Sequence, residues 1–225
     1  MPLFRNAVFV KSVAAPNGLP ASSGEIAFAG RSNAGKSSAI NALIGKRIAF
    51  VSKTPGRTQL INFYALGAAR FLVDLPGYGY SKIPESMRAQ WEELLGGYLR
   101  TRDPLRGTAV VMDVRHPLTE LDRRMLAWLQ PAGRPVHILL TKADKLSRAE
   151  ARKVLVRVEA ELALFAANFS VQLFSGLRKF GLEEAESVFS RWLAMSASEP
   201  QSHVAAEPEV DLLHQPSGLK IRTPG

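Results

Sequence analysis

Residues Gly30-Arg31-Ser32-Asn33-Ala34-Gly35-Lys36-Ser37 follow the pattern G-x-x-x-x-G-K-[ST], whose chemistry is the holding of phosphate oxygens. Glycines let backbone amides converge on an anion, and the start of a helix adds the positive end of its dipole. Lys36 supplies a point charge for the β- and γ-phosphates, and the Ser37 hydroxyl is a hard oxygen ligand suited to magnesium. The setting fits. Ile26-Ala27-Phe28-Ala29 reads as a buried strand, and Ser38 opens a run to Ile44 with Ile40, Leu43 and Ile44 at helical spacing. Gly30 to Ser38 is therefore expected to cradle nucleotide phosphates.

Three further stretches carry chemistry that suits such a cradle. Asp74-Leu75-Pro76-Gly77 closes the apolar run Phe71-Leu72-Val73, so Asp74 is placed to reach magnesium through a water and the Gly77 amide to meet a γ-phosphate. Thr141-Lys142-Ala143-Asp144 follows the apolar run Val136–Leu140. The Asp144 carboxylate can accept both guanine N1–H and the 2-amino group, a paired contact that adenine cannot supply. The stem of Lys142 is expected along the base. Ser175-Gly176-Leu177, after the last apolar run, would bring a backbone amide to guanine O6, and Phe174, which ends that run, is expected to border the nucleotide. In Lys53-Thr54-Pro55-Gly56-Arg57-Thr58-Gln59-Leu60, the residues from Gly56 to Leu60 are expected to border the nucleotide. Thr58 is a candidate second protein ligand of magnesium, Thr54 is its rival, and spacing alone favours neither.

These stretches must be positioned by a scaffold, and the remaining pattern supplies one. Leu60–Ala65 and Arg70–Asp74 flank a Leu-Gly-Ala-Ala turn and read as an antiparallel hairpin. Strands at Thr108–Met112, Val136–Leu140 and Val171–Phe174 alternate with helices at Thr119–Leu129, Arg148–Phe165 and Leu182–Leu193. Such alternation implies an α/β fold with a mainly parallel sheet covered on both faces and its ligand at the carboxyl ends of the strands. A further helix is expected from Pro84 to about Arg100, and a long mobile segment from Gly45 to Gly56. Residues 1–24 read as an extension with a possible edge strand at Ala7–Val13, residues 25–195 as the catalytic domain, and residues 196–225 as a disordered acidic tail.

Composition narrows the classes. The chain has 225 residues, 46% of them hydrophobic and 22% charged, an ordinary balance for a globular protein. No apolar run approaches the roughly 18 residues of a membrane-spanning helix, and Lys11 interrupts the short run Ala7–Val10, so neither insertion nor a signal peptide is expected. With no cysteine, a cytoplasmic location is expected. The formal net charge of +9 favours an anionic partner such as nucleic acid.

With these residues in view, GRSNAGKSS, KTPGRTQLINFY, DLPGYGYSK, MDVRHPL and LLTKADKL resemble the bacterial EngB (YihA or YsxC) GTPases, from about Phe9 to Leu193. The resemblance implies a Ras-like P-loop GTPase, a three-layer sandwich around a mainly parallel six-stranded sheet. It implies magnesium-dependent hydrolysis of GTP to GDP in assembly of the large ribosomal subunit, with effects on division and septation; a monomer is expected. It selects Thr58 over Thr54 as the magnesium-ligating switch threonine, with Lys36, Asn33, Thr58 and Gly77 as catalytic residues. Tyr78 stands where Ras-like proteins have a water-orienting glutamine, so slow intrinsic hydrolysis is expected. Asn33 offers an alternative by holding potassium against the phosphates, and Thr141 replaces the usual asparagine of N-K-x-D. The alternative to a ribosome switch is a GTP/GDP sensor that docks on division-related proteins without RNA. An ATP-dependent kinase or pump is disfavoured by Asp144.

Overall fold

The computed structural model describes residues 3–49, 60–78 and 95–194. Strands and helices succeed one another in the order that the hydrophobic pattern implies. β1 is Val8–Val13 and β2 is Gly24–Gly30, which leads through the glycine loop into α1, Lys36–Ile44. The hairpin is β3 (Ile61–Gly67) and β4 (Arg70–Asp74), and residues 95–101 are helical. Then come β5 (Leu105–Asp113), α2 (Glu120–Leu129), β6 (Val136–Thr141), α3 (Arg148–Leu162), β7 (Phe169–Leu173) and α4 (Leu182–Ala194).

The strands form one sheet in the order β1-β3-β4-β2-β5-β6-β7. The pairs from β4 through β7 are parallel, while β1–β3 and β3–β4 are antiparallel. The sheet therefore has seven strands rather than six, because the possible edge strand at Ala7–Val13 does pair, against Ile61–Ala65 of β3. The last strand starts earlier than expected and leaves Phe174 beyond its end. The third periodic helix stops at Leu162, with Ala163 to Phe165 turning away. The expected helix from Pro84 lies outside the described residues up to Leu94, as does the acidic tail.

Alternation along the central strands assigns the two faces. Ala27 and Ala29 of β2, Val110 and Met112 of β5, and Ile138 and Leu140 of β6 pack against α2, α3 and residues 95–99. Ile26, Phe28, Ala109, Val111 and Leu139 point the other way, onto α1 and the Phe189–Trp192 face of α4. The result is three layers, with the strands' carboxyl ends gathered along one edge. Gly30, Asp74, Asp113, Thr141 and Leu173 all lie there.

At the opposite edge, Glu25 is fully buried. Its carboxylate accepts hydrogen bonds from the Tyr98 hydroxyl at 2.6 Å and from Arg102 Nε at 3.1 Å and Nη2 at 2.5 Å. Arg102 also donates to the Pro20 carbonyl at 2.6 Å. Removing one partner of a buried pair leaves an uncompensated charge, at a cost of about 3–5 kcal/mol. Arg102→Ala is expected to lose stability of that order in urea unfolding, and a loss under about 1 kcal/mol would show that water reaches Glu25. His137, also buried, lies 2.8 Å from both Ser170 Oγ and Gln172 Oε1. Burial lowers its pKa, so it is a neutral, satisfied core group rather than a catalytic one.

Candidate guanine-nucleotide site

The glycine loop takes its shape from β2 and α1. Gly30 ends β2, Asn33 turns through a positive φ of 63° and Gly35 through 101°, and α1 begins at Lys36. Gly35 needs to be glycine twice over. Its φ disfavours a side chain, and a Cβ would lie 3.2 Å from Thr141 Oγ1. That contact joins two of the sequence motifs, because the Thr141 hydroxyl lies 2.5 Å from the Ala34 carbonyl and 3.0 Å from that of Met112. Threonine at this position thus anchors the loop by its hydroxyl, without an amide.

Asp74 ends β4 beside the loop and forms an ion pair with Lys36, both side chains largely buried. The chain beyond Asp74 runs alongside β2. Leu75 N–H donates to the Phe28 carbonyl at 3.0 Å and Tyr78 N–H to the Gly30 carbonyl at 3.2 Å, which brackets Pro76 and Gly77. Leu60 enters β3 at the same edge, since Asn62 pairs with Asp74. Gly56, Arg57, Thr58 and Gln59 lie outside the described residues, as do Lys53 and Thr54.

On the other side of the loop, Lys142 adopts a positive φ of 59° and extends its ammonium back across it. Nζ donates at 2.8 Å to the Asn33 carbonyl and at 2.8 Å to Asp113 Oδ2. Asp113 is gripped a second time by Arg115, through Nε at 2.9 Å and Nη2 at 2.7 Å. Burial opposes the Asp113 charge, but the hydrogen bonds from Arg115 and Lys142 outweigh it and hold the carboxyl far below its usual range. Asp144 Oδ1 accepts from the Ser175 hydroxyl at 2.5 Å. The Ser175 amide is spent on the Phe180 carbonyl at 3.0 Å, and Gly176 beside it lines the cavity. Gly176 lies tight against α1, where a Cβ would come within 3.0 Å of the Ser38 carbonyl. Phe174 is fully buried beneath this turn.

These groups enclose a cavity of about 580 Å³ lined by Gly35, Ser38, Thr141, Lys142, Asp144 and Gly176, a size that suits a nucleoside. Its rim is cationic, with Arg5, Lys46, Arg47 and Lys179 around it.

Two carboxylates that hold the site together do not stand out as site residues from sequence reasoning. Asp113 lies within MDVRHPL and closes β5, so its position at a carboxyl end is a readable signal. Asp122 carries no signal beyond its place three residues after Thr119, where it completes a capping box. Tyr78 also behaves in a way its position does not announce. Its ring turns into the core, 4% exposed, and its hydroxyl donates to Asp122 Oδ1 at 2.9 Å. Burial, and then the Asp122 charge, push its phenol well above the ordinary pKa.

Known proteins resemble this chain in sequence and in fold. The sequence model of a family described as 50S ribosome-binding GTPase matches residues 25–142. A protein named probable GTP-binding protein EngB from Azoarcus sp. (strain BH72) is 58% identical over 209 residues, covering 92% of this chain and 100% of that protein. One of the same name from Methylobacillus flagellatus is 60% identical over 195 residues, covering 86% and 94%. Among solved structures, a probable GTP-binding protein engB superposes with a TM-score of 0.60 at 20% identity, over 76% of this chain and 98% of that one. Era in complex with MgGDPNP and a segment of 16S ribosomal RNA superposes with a TM-score of 0.59 at 19% identity, over 79% and 58%. At these identities the structures speak for the fold alone.

Proposed function

This chain belongs to the EngB family of P-loop GTP-binding proteins, and on that premise we propose that it hydrolyses GTP as a timing switch in assembly of the large ribosomal subunit. The observation that carries the reading is the convergence, at one sheet edge, of a phosphate loop, Asp74 and Gly77, and a cavity bearing Asp144. In this reading Gly30 to Ser38 wrap the phosphates, with Lys36 exchanging its Asp74 partner for phosphate oxygens. Asp144 reads the guanine edge while Ser175 fixes its carboxylate, Lys142 lies along the base under the hold of Asp113, and the Gly176 amide meets O6. Thr58 and the Gly77 amide respond to the γ-phosphate.

Magnesium fits the donor set. Among the described residues no three His, Cys, Asp or Glu side chains cluster, and magnesium takes few protein oxygens, filling its shell from water and phosphate. Ser37, Thr58 and, through water, Asp74 would hold it. When bound, it neutralises charge on the β- and γ-phosphates. The Tyr78 side chain turns inward onto Asp122 instead of standing where a water-orienting glutamine would, which supports slow intrinsic hydrolysis. Asn33, exposed at the loop's rim, is the group offered to potassium.

The ribosomal partner is supported by the family's description and by the net charge of +9. Arg31, Lys53, Arg57, Lys82, Arg88 and Arg115 lie in or near the segments around the nucleotide and are the cations this reading assigns to an RNA face. Arg31 and Arg115 are described, and the other four lie outside the described residues. Failed division or septation would then follow from too few ribosomes. No helix among the described residues is long and apolar enough to cross a membrane, and a cytoplasmic monomer is the state proposed. The second reading, a sensor docking on division-related proteins, is favoured by the exposed apolar side chains Val8, Phe9 and Val10 on edge strand β1.

Co-sedimentation with purified large ribosomal subunits separates the two. Pelleting is expected to be stronger with a non-hydrolysable GTP analogue than with GDP and to weaken steeply with salt, as phosphate contacts require. Pelleting indifferent to nucleotide would reduce the interaction to charge, and none at either salt would favour the protein-docking sensor.

A further inference from the structure

One buried carboxylate joins the cap of α2 to two parts of the site. Asp122 is fully buried at the first turn of α2. Its Oδ2 accepts from Thr119 N–H at 2.9 Å and from the Thr119 hydroxyl at 2.7 Å, which completes the helix cap. Capping uses that oxygen alone. Oδ1 is turned the other way, taking the Tyr78 hydroxyl at 2.9 Å and facing Arg31 Nε at 3.5 Å. Arg31 is the second residue of the phosphate loop, and its Nε has no hydrogen-bond partner among the described residues. The backbone completes the link, because Tyr78 N–H donates to the Gly30 carbonyl and Ser32 N–H to the Tyr78 carbonyl at 3.3 Å. Gly77 therefore sits next to a residue held on both its main chain and its side chain.

We propose that Asp122 is a positioning residue for GTP, which sets the distance between the Gly77 turn and the phosphate loop by anchoring Tyr78 and Arg31 from beneath. The proposal rests on the reading that Gly77 answers to the γ-phosphate. A buried carboxylate must be well partnered. On Oδ1 the Tyr78 hydroxyl and Arg31 share one oxygen, so loss of the donor there shifts the Gly77 turn against the phosphate loop, while the cap on Oδ2 stays a separate contact. The Gly77 amide is useful only within a narrow range, since a misplacement of about 1 Å can cost on the order of a hundredfold in rate. GDP has no γ-phosphate to feel the difference.

Tyr78→Phe removes one hydroxyl, leaves the ring in the core, and touches no phosphate. We expect single-turnover GTP hydrolysis and affinity for a non-hydrolysable GTP analogue each to fall about tenfold, with GDP affinity within about twofold. Thr119→Ala breaks the cap through the other oxygen. It should lower the melting temperature while leaving the ratio of GTP-analogue to GDP affinity unchanged. Asp122→Asn should shift that ratio in the same direction as Tyr78→Phe, and if it fails to fold, Tyr78→Phe decides alone. A wild-type ratio in Tyr78→Phe, or equal losses for both nucleotides that track the melting temperature, would overturn the proposal. If the wild-type protein itself binds the analogue and GDP without reference to the γ-phosphate, the reading of Gly77 falls first and the proposal with it.

Discussion

Lys36→Ala is expected to weaken GTP binding by roughly 30-fold to several thousand-fold, the equivalent of about 2–5 kcal/mol for truncating one partner of a desolvated charge pair. Two losses combine. The phosphates lose a point charge inside a loop otherwise made of backbone amides, and Asp74 loses the ammonium that pairs with it. The second loss acts without ligand. Asp74 is 5% exposed, and a carboxylate so placed is costly once unpaired, so the variant should also melt at a lower temperature. A titration with fluorescent GTP reads the first effect and a thermal melt the second. Near-wild-type affinity would remove Lys36 from the phosphate site.

Asp144→Asn should change which base is bound. Asp144 Oδ1 accepts from the Ser175 hydroxyl, which fixes the carboxylate while both of its oxygens keep a lone pair for guanine. An asparagine that keeps its carbonyl on Ser175 must turn its NH₂ group toward the base. Facing guanine, that puts donor against donor. Facing xanthine, whose 2-position carries an oxygen, it makes a new hydrogen bond. Sites built to hydrogen-bond a substrate reject analogues that leave them unpaired by ~10⁴–10⁵, so a loss of GTP affinity on the order of a thousandfold or more is expected. Xanthosine triphosphate should then bind better than GTP, in a competition assay that includes ATP. A variant that still prefers GTP would show that specificity comes from the Gly176 turn. Thr141 bears on this result, because its hydroxyl holds the loop to β5 and leaves base recognition to Asp144.

Much of this site is legible in the order of the amino acids. The glycine loop announces itself because its requirements are local: Gly35 needs a positive φ, Lys36 and Ser37 must open a helix, and a buried strand must precede them. Asp74 and Asp144 can be read because each closes an apolar run, and in a parallel sheet such ends share one edge. Periodicity locates the four labelled helices and the central strands to within a few residues, since core-facing positions recur every 3.6 or 2 residues. Family membership follows from the same short stretches.

What cannot be read is what depends on neighbours brought together by strand order. β1 can be read as a possible edge strand, but with five of its six side chains exposed its sequence names no partner, and pairing with β3 decides its place. Glu25 meets Tyr98 and Arg102 across more than seventy residues. Asp113 gripping Lys142, Ser175 fixing Asp144, and Tyr78 turning inward onto Asp122 are likewise contacts between segments with no local code for one another. The chain's local propensities and charges specify which groups are available for phosphate and guanine. Only the packed sheet, by setting the order β4-β2-β5-β6-β7 and excluding water from between its layers, decides which carboxylates hold those groups still.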